Sequence, residues 1–211
     1  MKTVSVFCLL LLMGSGCARA PYRVGLAQSH AVSLDKKPAT ATDYNSLGVK
    51  YELAGQYDRA MAAYEKCLSL DDAHQFARTN MGNVLAKLGR FDEAEACYRS
   101  VLAKTPDDLA AMNNLAWLLV STGDAEACTE GIELAHRCLS LAADTLPGVR
   151  AAILDTLAWG NYRLQRQPEA FRYIQEAGHL LGPVEMNNNP LIWGHWRTIS
   201  QGQGLPHHPS D

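Results

Sequence analysis

Apolar and polar positions divide the chain into three stretches of different texture. From Val4 to Met13 the residues are mostly apolar, with Leu9, Leu10, Leu11 and Leu12 in succession behind the positive Lys2. Ten helical residues rise only about 15 Å, half of a ~30 Å hydrocarbon core, so the run is too short to span a bilayer and reads as a secretory signal. Residues 18–40 show no sustained helical period and contain Pro21 and Pro38, which is the texture of a tether. From residue 41 a spacing of 34 takes over. Leu47-Gly48 aligns with Met81-Gly82, and the same shift puts Gly55 on Gly89, Tyr57 on Phe91, Ala60 on Ala94 and Tyr64 on Tyr98. Asp71-Asp72 falls near Pro106-Asp107. Leu115-Ala116 with Gly123 opens a third copy, and Leu157-Ala158 with Ala170 and Ala177 a fourth. The third carries three extra residues around 125–130 before Cys138-Leu139-Ser140-Leu141 echoes Cys67-Leu68-Ser69-Leu70. A fixed period of this length marks stacked supersecondary units, each too small to bury its own apolar face.

On these residues the chain resembles the tetratricopeptide repeat family over 41–184, in copies at 41–74, 75–108, 109–145 and 151–184. The resemblance implies an all-α fold: a right-handed superhelical solenoid of about four helix-turn-helix repeats with a C-terminal capping segment. In that family small residues at the Gly and Ala positions let two antiparallel helices approach closely, and large ones such as Tyr51, Tyr64 and Tyr98 fill the space beside them. Gly55 and Gly89 suit a helix C-terminus that needs positive φ, and Asp107 and Asp108 suit the positive end of the next helix. The later copies depart from the pattern. Ala116 and Ala158 replace the central Gly, and Asn161 stands where an aromatic or Leu is usual. After Gly182-Pro183, the run Asn187-Asn188-Asn189-Pro190 marks a break. Leu191, Ile192, Trp193, Trp196 and Ile199 then fit a short capping helix, so 185–211 is expected to be cap and tail.

The family lines its concave face with the first helix of each repeat. Carried over position by position, the expected partner-binding groove contains Asn45, Asn83 and Asn113, then Trp117, Asp155, Trp159 and Tyr162. An amide can pair with both the carbonyl and the N–H of a peptide backbone. Tryptophan and tyrosine supply the amphipathic area enriched in binding hot spots. Trp117 and Trp159 have a second reading, as packing against a neighbouring repeat or the cap. Lys87 and Arg163 stand almost alone as cations, which argues against the carboxylate clamp of the family's chaperone-binding members.

Charge and candidate chemistry narrow the function classes. The 211 residues carry a net charge of −3 with a pI near 6.2, which offers no global attraction to nucleic acid. Five of the 19 basic residues and one of the 22 acidic residues precede position 41, so the repeat region and tail are acidic at −7. Gly14-Ser15-Gly16-Cys17 resembles the bacterial lipobox, with Gly14 in place of the usual Leu. This implies a signal over 1–16, diacylglycerol on Cys17, a tether over 17–40, and attachment to the outer membrane with the domain in the periplasm; plain cleavage after Ala18-x-Ala20 is the alternative. Cys67 and Cys138 share a repeat position and read as core; Cys97 and Cys128 are candidates for a disulfide in an oxidising compartment. No zinc spacing, nucleophile elbow or phosphate loop occurs, so no cofactor, small-molecule substrate or catalytic residue is expected. The expected function is a non-catalytic scaffold that binds a protein partner, such as a pilus or secretion component. The alternative is an accessory subunit or regulator of a cell-wall hydrolase or synthase that binds a folded enzyme over the convex face or the insertion.

Overall fold

The computed structural model describes residues 39–201. The signal, Cys17 and most of the tether lie outside the described residues, as does the tail from 202. Among the described residues all regular structure is helical: α1 (Ala41–Leu53), α2 (Tyr57–Leu70), α3 (Gln75–Lys87), α4 (Phe91–Lys104), α5 (Leu109–Thr122), α6 (Ala125–Leu141), α7 (Pro147–Arg163), α8 (Gln167–Asn187) and α9 (Pro190–Gln201). None of these helices is long and apolar enough to cross a membrane. The first eight pair as hairpins. Within the stack α1 lies on α3, α3 on α5 and α5 on α7, and α9 packs on α7 and α8. The fold is therefore an all-α repeat solenoid with a final covering helix.

Hairpin closeness has a steric cause. Gly48 and Gly82 face the fully buried rings of Tyr64 and Tyr98; a Cβ at position 82 would stand 2.7 Å from Tyr98 Cε1. Neither ring can retreat freely, because the Tyr64 hydroxyl donates to Glu52 Oε2 at 2.9 Å and the Tyr98 hydroxyl to Asn83 Oδ1 at 2.8 Å. The third repeat keeps the close approach but moves the glycine to the other helix. Ala116 occupies the inner position, and Gly131 on α6 comes so near that an added Cβ would meet the Ala116 carbonyl at 2.8 Å. The three inserted residues are absorbed into α6, which has 17 residues against 14 in α2 and α4.

Helix ends follow the acidic residues and glycines. Thr40 and Asp43 form a reciprocal cap on α1, while Asp108 accepts from Ala111 N and Asp124 from Glu126 N and Ala127 N. Asp72 and Asp107 instead bind the next outer helix, through Lys104 and Arg137. The fourth inner helix starts at Pro147, ahead of the expected repeat start at 151, with proline where its fixed φ suits a first turn. Gly182 (φ 70°, ψ 169°) breaks α8 before Pro183, and Asn189 Oδ1 accepts from Ile192 N at the start of α9.

Three of the four hairpin turns share one geometry. Gly55 (φ 71°), Gly89 (φ 77°) and Gln165 (φ 59°) adopt the left-handed conformation, each followed by a residue whose N–H reaches back to Tyr51, Leu85 or Asn161. Gly123 does not; its backbone is extended. The sequence puts the wrong residue type at position 165, since a side chain in this region costs about 1 kcal/mol relative to glycine. Gln165→Gly is expected to raise stability by about 0.5–1 kcal/mol and Gly89→Ala to lower it by about 1 kcal/mol, measured by urea denaturation. Equal effects of the two substitutions would contradict this reading of the turn.

Candidate functional site

Inner helices α1, α3, α5 and α7 present the residues the repeat pattern assigns to the concave face, and the structure divides them into two groups. A polar seam runs between successive inner helices. Asn80 Nδ2 donates to Asn45 Oδ1 at 3.1 Å, Asn114 Nδ2 to Asn83 Oδ1 at 2.9 Å, and the Thr156 hydroxyl to Asn113 Oδ1 at 3.2 Å. Lys87 Nζ lies 3.0 Å from Glu52 Oε1, again joining α3 to α1. Asn83 and Asn113 are buried and Asn45 is half-buried. Each carboxamide oxygen expected to meet a peptide backbone is thus engaged by the neighbouring repeat. Asn113 Nδ2 is buried with no hydrogen-bond partner.

Trp117, Asp155, Trp159 and Tyr162 come together around a residue from the last helix. His195 stacks on Trp159, with centroids 4.3 Å apart and planes at 21°, and lies against Trp117 at 5.4 Å and 33°. Trp159 in turn stacks on Tyr162 at 5.4 Å. His195 Nδ1 sits 2.8 and 2.9 Å from the two Asp155 oxygens, with both side chains almost wholly buried. Asp155, expected in the partner-binding groove, is instead paired with His195, a residue the repeat pattern does not reach. The available signal was the period of α9: Ile192, His195, Trp196 and Ile199 fall on one face at helical spacing, and all four are buried. A histidine inside that stripe needs a polar partner.

Upstream the inner face is open. Phe76 is 54% exposed and Leu53 47%, while Val49 is half-buried and Thr42 exposed. The structure holds no candidate constellation of three metal-ligating side chains among the described residues.

Residues 53–116 match the tetratricopeptide repeat family. The chain contains tetratricopeptide repeats. Its fold is similar to that of TTC0263, a thermophilic TPR protein of Thermus thermophilus, at a TM-score of 0.65 and 16% identity over 78% of this chain and 84% of that one. It is similar to PilW, described as a widely conserved type IV pilus biogenesis factor, at 0.62 and 16% over 79% of each chain. Pseudomonas aeruginosa PilF gives 0.61 and 18% over 79% of this chain and 78% of that one. No curated protein matches the sequence.

The four described cysteines are free and buried. Cys97 and Cys128, the candidates for a disulfide, lie in different packing clusters, and the Cys128 thiol donates to the Gly160 carbonyl instead. Burial pushes the thiol of Cys67 up to about 11 and that of Cys138 up to about 12, and raises the other two. A raised value means that the folded state holds its protons more tightly, so the contribution is complete below pH 9 and is lost as pH climbs toward 11–12. These four thiols are expected to resist alkylation in the native protein at about pH 8, below the ordinary thiol range. Stability is expected to fall above pH 9, and Cys138→Ala to make that decline shallower, as followed by denaturant titration at several pH values.

Proposed function

We propose that the chain is a non-catalytic protein-binding scaffold, attached by lipid on Cys17 to the outer membrane, which takes up a segment of an envelope-assembly component on its inner face. The observation that carries the reading is the open N-terminal half of that face. Leu53 and Phe76, at opposite ends of the in-register helices α1 and α3, each expose large apolar surface at an expected groove position, an arrangement that favours two separate apolar contacts along one bound segment. The C-terminal half, by contrast, is filled by the chain's own His195. The anchor rests on Gly14-Ser15-Gly16-Cys17 and the apolar run before it. The likeness to PilW supports an assembly role at the level of fold.

Photo-crosslinking in cells tests this directly, with the probe at Phe76 and a control at exposed Glu133 on α6. A discrete protein trapped from position 76 and lost when Leu53→Ala is added is the expected result, with Cys17→Ser releasing the protein from the membrane fraction. Products only from position 133 would favour docking of a folded enzyme on the outer helices and remove the groove reading. Retention of the Cys17→Ser variant in the membrane would remove the lipid anchor.

A further inference from the structure

Covering the last hairpin requires only apolar side chains, and α9 supplies them. Ile192 and Ile199 are fully buried, and Trp196 closes over α8, where a Cβ on Gly178 would touch its ring at 3.4 Å. His195 adds something a simple cap has no need of. Its ring enters a slot whose walls, Trp117 and Trp159, come from two different repeats and whose base is the Asp155 carboxylate, 1% exposed. A carboxylate between indole faces is the chemistry that receives a planar, N–H-donating group, because the acid takes the proton donor while the rings hold the plane. An occupant that buries Asp155 without donating to it would strand the carboxylate, so the slot selects strongly for a donor.

The helix that fills it fits imperfectly. Trp196 Nε1 and Ser200 Oγ are buried on α9 without hydrogen-bond partners. Each is a cost that α9 bears only while docked. A kink at Gly182 and a two-residue break at Asn188 and Asn189 separate α9 from the hairpin it covers.

We propose that the slot of Trp117, Asp155 and Trp159 is a second recognition site, for a partner helix that presents an imidazole or guanidinium between apolar residues, and that α9 is the built-in occupant such a helix displaces. The partner's chemistry is read from α9 itself, which shows what the slot accepts. This rests on the reading that the inner face binds a protein segment, and it extends the binding surface from the Phe76 half to the Trp159 half once α9 leaves.

The test uses the full chain and a labelled synthetic peptide of residues 188–201 as probe. In the chain, His195→Asp sets a carboxylate against Asp155 and ejects α9. The peptide is expected to bind this variant at least ten-fold more tightly than the wild-type chain, whose slot is already filled. A peptide carrying His195→Arg should retain binding, and one carrying His195→Leu should lose at least ten-fold. Equal binding of the Leu peptide would overturn the proposal, since the site would then be recognising apolar surface alone. Concentration-dependent dimers of the wild-type chain that exchange α9 would overturn it too, making a second copy the occupant. Should His195→Asp fail to fold, hydrogen exchange on the wild-type chain decides. Amides of α9 opening separately from those of α7 support a displaceable helix, and equal protection of the two refutes it. Because this assay involves no cellular partner, its failure leaves the Phe76 half standing, and failed crosslinking from Phe76 leaves the slot standing.

Discussion

Each helical hairpin covers one face of the hairpin before it and leaves its own next face bare, so the stack acquires stability only by continuing and must end on something that is not a hairpin. That constraint organises the molecule. The core is spread along the stack, from the Ala60–Tyr64–Val84 cluster through Leu85 and Tyr98 to the large group that runs from Met112 to Ile199. The final group is the most extensive because it belongs to two repeats and to α9 together. Burying Ile192, Trp196 and Ile199 contributes roughly 1.5–3 kcal/mol apiece, which seats the helix. The Asp155–His195 pair adds little net stability, since desolvating both groups offsets their attraction. What it fixes is register: only one rotation and one height of α9 bring Nδ1 onto both carboxylate oxygens.

The same stacking decides what the inner face can bind. Polar side chains there are shared between neighbouring repeats, as the Asn45–Asn80, Asn83–Asn114 and Asn113–Thr156 bonds show. They hold the inner helices in line and leave Leu53 and Phe76 exposed at opposite ends of α1 and α3. The face therefore has an accessible end and a self-occupied end, and the two differ in chemistry: aliphatic and phenyl surface at one, indoles around a carboxylate at the other.

Much of the fold was legible because it is local. The Gly48–Tyr64 and Gly82–Tyr98 contacts lie within one repeat, and a shift of 34 exposes both at once. The left-handed turns at Gly55 and Gly89 were legible for the same reason. Gln165 was not, because its residue type contradicts the backbone it adopts. The inner face was harder to read. A helix position tells which side a residue lies on but not whether the next repeat consumes its hydrogen bonds. Asn113 and Thr156 are 43 residues apart, and Asp155 and His195 are 40 apart. The first pair repeats the positions of Asn45 and Asn80 across the inserted residues, but the period does not show that such a pair bonds, and the second reaches into α9, outside the repeat. The burial of Trp117 and the pairing of His195 depend on where α9, which lies outside the repeat, comes to rest.

His195 of α9 lies between the indoles of Trp117 and Trp159 in the folded protein, and the arrangement of the whole C-terminal half depends on it. Proton NMR on the full chain measures this directly through nuclear Overhauser effects between the imidazole and the two indole rings. Cross-peaks to both rings, with the imidazole protons shifted upfield by the indole ring currents, are the predicted result. An imidazole with random-coil shifts and no cross-peak to either tryptophan would contradict the account, leaving the C-terminal half of the inner face open.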